Sequence, residues 1–137
     1  MMSGMEAGKR TVAALVSFLL AVAIHTDWHF ARPLHHRLSL GLSWHRLLAI
    51  PVFALVALYV SRAWPSHILR ASLWIIGGAV LLGGIIEPAW EYFIGDAPFD
   101  WAFGRERNLA LASFVGTGIV AYVSVLRLIP RWKTHAL

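Results

Sequence analysis

Four apolar stretches dominate this chain: Thr11 to Ile24, Leu47 to Val60, Ile68 to Ile86 and Leu109 to Ile129. A helix rises 1.5 Å per residue, so roughly 20 residues are needed to cross the hydrocarbon core of a bilayer. The third and fourth stretches meet that length. The first two fall short and reach it only by taking polar residues into their outer ends. The first must run on through His25, Asp27 and His29, and the second must begin near Trp44 and His45. One end of the molecule thereby collects side chains that lipid disfavours.

The predicted fold is all-α: an integral membrane four-helix transmembrane bundle with short loops, a single domain over residues 1–137. Its spans fall at approximately 10–30, 44–62, 67–87 and 108–129. The composition agrees, since 58 % of the residues are hydrophobic and only 14 % charged, too few for the polar shell of a soluble domain of this size. Pro33, Trp64-Pro65-Ser66, Asp96-Ala97-Pro98 and Pro130 punctuate the spans. The absence of cysteine excludes disulfides, thiolate metal sites and cysteine nucleophiles. A net charge of +5 invites a nucleic-acid reading, but the twelve basic residues are scattered between apolar runs, so no nucleic-acid partner is expected.

Topology accounts for the basic residues better. Lys9, Arg10, Arg62, Arg70, Arg127, Arg131 and Lys133 lie on one side, against Arg32, Arg37, Arg46, Arg105 and Arg107 on the other. The positive-inside rule then puts both termini on the cytoplasmic side of the cell (inner) membrane. Of the acidic residues only Glu6 falls inside, while Asp27, Glu87, Glu91, Asp96, Asp100 and Glu106 fall outside. Trp28, Trp44, Trp90 and Trp101 are expected in an aromatic belt at the outer interface, and Trp64 and Trp132 in one at the inner. Lys9-Arg10, the apolar run and Ala21-Val22-Ala23 also imitate a cleavable secretory signal, against which we read the first helix as an uncut span.

Two pairs of side chains carry the chemical interest. His25 and His29 are one helical turn apart, a spacing that lets two imidazoles share a metal, and Glu87 and Glu91 repeat it at the outer end of the third helix. Pro88 either kinks that helix or ends it near Glu87, in which case the two carboxylates need not share a face. If the first and third helices are neighbours, His25, His29, Glu87 and Glu91 make a mixed N/O metal site suited to zinc, iron or manganese. Glu91 or Asp100 is then the candidate general base, and Asp27, Asp96 or Asp100 can orient an imidazole. His29 and His45 are the candidate axial ligands of a haem b across the first hairpin. The competing structural account is that these residues cap helices and pair across loops, with Arg105 and Arg107 neutralising Glu87, Glu91 and Asp100. Asn108 is the expected N-cap of the last helix.

Gly77-Gly78 and Gly83-Gly84, with Ala79-xxx-Gly83 on one face, allow close helix packing within the bundle or at a homo-oligomer seam, and Gly116 and Gly118 of the last helix are a candidate facing surface. The run Gly83-Gly84-Ile85-Ile86-Glu87, followed by a polar loop and a last glycine-containing helix, resembles the VanZ-like proteins over the final third of the chain. The family's Glu-x-x-Gln would need glutamine at Trp90, and its Asp-Lys-x-x-His reads His45-Arg46-Leu47-Leu48-Ala49 here, so no site residue carries over. The expected function is that of a small multi-pass accessory or interaction subunit of a membrane complex, partnered by the lipid bilayer and by another membrane protein or a second copy. The alternatives are a metal-dependent enzyme acting on a lipid or lipid-linked substrate at the outer interface, and a haem-binding anchor.

Overall fold

A computed structural model describes residues 4–35 and 47–129, the side chains at 5, 30–35 and 106 excepted. Among the described residues all regular secondary structure is helical, with no strand. The elements are α1 (Gly4–His35), α2 (Ala49–Ala63), α3 (Ile68–Leu81), a π-helical turn (Leu82–Ile86), α4 (Glu87–Phe93), α5 (Phe99–Phe103) and α6 (Arg105–Leu128). Three helical stretches are long and apolar enough to cross a membrane: Glu6–His29, Ile68–Phe93 and Phe99–Leu128, the last interrupted at Gly104. α2, at 15 residues, is shorter than a span, and residues 44–46, which the expected second span includes, lie outside the described part.

Neither of the prolines expected to limit the outer ends does so. Pro33 lies within α1, which continues to His35. Pro88 is the second residue of α4, directly after the π turn. The wider π turn keeps the helix continuous, so α3, the turn and α4 form one rod that runs on past the expected end at Glu87 to Phe93. At the start of α6 the expected cap is corrected. The helix begins at Arg105 behind Gly104, and Asn108 is already inside it, its N–H donating to the Gly104 carbonyl at 3.1 Å. Only glycine fits at 104, because a Cβ there would meet the Asp100 carbonyl oxygen at 1.9 Å.

α2 lies along α6, and α1 lies along α3. Phe53 of α2 is fully buried and packs flat against Gly118, where a Cβ would overlap its ring. This glycine therefore serves α2 and does not face the glycines of α3. Ala79 and Gly83 are buried, and Gly83 rests on the Ala21 backbone of α1. The small-residue face of α3 is thus spent on packing inside the protein, while Gly77 remains open.

Polar contacts tie the rods together at intervals. The Ser17 hydroxyl of α1 donates to the Ile75 carbonyl of α3 at 2.9 Å, and Tyr59 of α2 donates to the Lys9 carbonyl at 3.3 Å. Ser72 donates to the Ile68 carbonyl at 2.6 Å and is hydrogen-bonded to the buried Tyr122 hydroxyl of α6. Tyr122→Phe removes an interhelical bond of this kind, worth about 0.6–1.7 kcal/mol. Unfolding in mixed detergent should register a loss in that range, and Ser72→Ala added to it should lose little more.

The outward faces are apolar. Leu55, Leu69, Leu73, Trp74 and Val120 are among the most exposed residues of the helices, with Leu69 and Trp74 each 74 % accessible. Trp28 departs from the expected belt: it is buried at 4 % accessibility and stacks on Trp101, ring centres 4.8 Å apart. Trp90 is exposed as expected, whereas Trp44 and Trp132 lie outside the described residues.

Candidate functional site

The packing of α1 on α3 sets a register between two nearly matched rows of side chains. Ala21 meets Gly83, His25 meets Glu87 and His29 meets Glu91, each rung one helical turn above the last. Because the lowest rung has no side chain on α3, the two helix backbones come close there, and the rungs above are held within bonding distance. Pro88 does not split the carboxylate pair. Glu87 and Glu91 share the face that looks at α1.

His25 Nδ1 lies 2.7 Å from Glu87 Oε1, and His29 Nε2 lies 3.3 Å from Glu91 Oε1. The two imidazoles are neighbours, with ring centres 4.1 Å apart. The approach of His25 Nδ1 to Glu87 Oε1 is short but lacks the alignment of a regular hydrogen bond. The four ligand atoms all fall within 4.8 Å of one another, and this His/Glu group could hold a metal ion. Tetrahedral ligands bonded at about 2.1 Å to one ion stand about 3.4 Å apart, so side-chain movements of about an ångström are needed to close the set.

Arg107, from the first turn of α6, completes the cluster from the buried side. Its Nη2 donates to Glu87 Oε2 at 2.6 Å, and its Nη1 donates to Glu91 Oε2. One guanidinium thus holds the outer oxygen of each carboxylate and turns the inner oxygen of each toward the imidazoles. This is the orienting role that outer groups play around metal ligands. The guanidinium lies over the Trp28 ring, its Cζ 5.7 Å from the ring centre, and Trp101 of α5 meets the His29 ring edge-on at 5.4 Å. Access is one-sided: the His25 and His29 side chains keep 39 % and 41 % of their surface, whereas Arg107 keeps 6 %. An ion would arrive on the imidazole side. Two carboxylates and one guanidinium leave one net negative charge when the imidazoles are neutral, a balance that either a cation or a protonated histidine offsets.

The remaining expected residues fall elsewhere. Asp100 is exposed in the first turn of α5 and lies outside the four-residue group. Asp96 is in the loop after α4, in the left-handed conformation at φ 56°. Asp27 is buried, but two positions along a helix turn it roughly 200° from His25 and from His29, so it serves another face of α1. His45 lies outside the described residues, and His29 is directed at Glu91. Arg107 was foreseen as a neutralising partner of Glu87 and Glu91, which it is. That it would be this arginine, buried and touching both, had no signature in the sequence beyond its place at the head of the last helix. No protein-family model matches the chain, and no curated protein or solved structure matches it either.

Proposed function

We propose that the chain is a four-span protein of the inner membrane, with both termini cytoplasmic, that binds a divalent first-row metal through His25, His29, Glu87 and Glu91 at its outer face. The membrane reading is supported by three helices of spanning length and by outward faces of leucine, valine and tryptophan. We read α2 as the fourth span because the apolar Leu47 and Leu48 directly precede it. The orientation is supported by the surplus of Lys and Arg near the inner ends.

One observation carries the metal reading: four N and O atoms from two helices converge, with Arg107 holding the far oxygen of both carboxylates. The donor set suits zinc, iron or manganese. It supports binding more than hydrolysis. Both oxygens of Glu91 are engaged, and Asp100 stands apart, so neither supplies the base that an activated water would need. We therefore read the protein as a metal-binding accessory subunit of a membrane assembly, ahead of an enzyme acting on a lipid-linked substrate or a haem anchor.

Elemental analysis of the intact protein, purified without a histidine tag or chelator and then offered zinc, iron(II) or manganese, tests this reading. The expected result is about one ion per chain, lost in His25→Ala and in Glu87→Ala while helicity is retained. A folded wild-type chain that binds none of the three would leave the cluster as an ion-pair clamp between helices, the reading that Arg107 alone would support.

A further inference from the structure

At the other end of the α1–α3 pair, about 22 Å along the helices from the His/Glu group, lies a cavity of about 590 Å³. Its rim is polar, with Glu6 and Arg10 from α1 and His67 and Arg70 from the start of α3. Its floor is apolar, formed by Ala13, Ala14, Ala71 and Ile75. Trp64 and Trp74 stand at its sides. The small residues of the floor make the volume: alanines on both helices leave a trough where larger side chains would interlock.

We infer that this trough is a binding site for one anionic glycerophospholipid, its phosphodiester between Arg10 and Arg70 and an acyl chain laid along the alanine floor. The inference rests on the membrane reading above. Two observations commit it to that occupant. Arginines on two different helices flank the mouth, and Lys9, seated over the Trp64 ring at 5.6 Å, adds positive charge beside it, so the rim outweighs Glu6 and favours an anion. Trp74 both lines the trough and is exposed, so the trough has an apolar edge along which an acyl chain can leave it. A free phosphate would use the rim and leave the floor empty.

The test is lipid binding to the full chain in neutral detergent, followed by native mass spectrometry with phosphatidylglycerol, phosphatidylcholine or inorganic phosphate. Phosphatidylglycerol should bind at one site per chain and be preferred over phosphatidylcholine. Arg10→Gln/Arg70→Gln should weaken it about thirtyfold, as expected for two basic contacts at a headgroup. Both arginines are exposed, so the double variant should keep the thermal stability of the wild type measured without lipid. Equal retention of the two lipids, unchanged binding by the double variant, or displacement of the lipid by millimolar phosphate would overturn the site. Alkaline carbonate extraction of native membranes separates the two levels of the argument. A chain that carbonate releases takes the membrane reading and the lipid site down together, whereas a retained chain without lipid preference removes the lipid site alone.

Discussion

Arg107→Leu should be the most damaging single change in the protein, lowering its stability by about 3–5 kcal/mol. Arg107 is 5 % exposed, and its guanidinium is the shared partner of Glu87 and Glu91, which sit one turn apart on the same helical face. Leucine fills much of the space but leaves two like charges side by side, partly desolvated and with their outer oxygens unpaired. The cation over Trp28 is lost as well. The signature of this mechanism is rescue: Glu87→Gln and Glu91→Gln, added to Arg107→Leu, remove the stranded charges and should recover most of the loss. Reversible unfolding in mixed detergent measures both steps. If Arg107→Leu costs no more than a typical surface change, the carboxylates are not held as anions by this residue and the cluster is drawn wrongly.

Gly83→Leu should separate the two halves of the proposed metal site without touching any of its four side chains. A Cβ at this position would lie 2.9 Å from the Ala21 carbonyl oxygen and 3.3 Å from Ile24 Cβ, so even alanine forces a shift against backbone, and leucine forces α1 away from the α3 rod. Overpacking of this kind costs about 1–3 kcal/mol. The larger effect is on the site, because the rungs just above Gly83 are His25–Glu87 and His29–Glu91. Metal affinity should fall roughly 10–100-fold, the range seen when groups that position ligands are disturbed. Gly77→Leu is the control: the space beside Gly77 is open, and the same added bulk should leave both stability and metal content near wild type. Equal metal affinity in the two variants would mean that close approach of the helices does not set the site.

Much of this arrangement was legible in the sequence, and the reasons for the gaps are specific. Apolar runs long enough for spans identified the rods of α3 and α6, the rod of α1 needed its run to be carried on through His25, Asp27 and His29, and the i, i+4 pairs named the four converging residues. Periodicity describes one helix at a time, however, and says nothing of which helices are neighbours. The pairing of α1 with α3 follows from Ala79 and Gly83, whose small size was visible but whose partner was not. Pro88 reads as a breaker because the usual rule assumes α-helical spacing, and the π turn before it relaxes that assumption. Trp28 reads as a belt residue by its position near the end of a span. It is buried because its side of α1 faces Trp101 of α5 and Arg107 of α6. Asn108 has the right chemistry for a cap, but Gly104, where a Cβ would strike the Asp100 carbonyl, takes the turn instead.

The π turn at Leu82–Ile86 also has a bearing on how the cluster can be made or unmade. Below it, Ser17 faces Gly78; above it, the partner of each α1 residue lies one position further along the rod than that spacing alone would give. A single surplus residue, absorbed in one wide turn, thus acts as a vernier between the two helices. Removing one residue there would rotate everything beyond it by about 100°. Glu87 and Glu91 would swing off α1 and away from Arg107 in the same movement, so the site can be switched on or off whole by the length of five residues that contain none of its ligands.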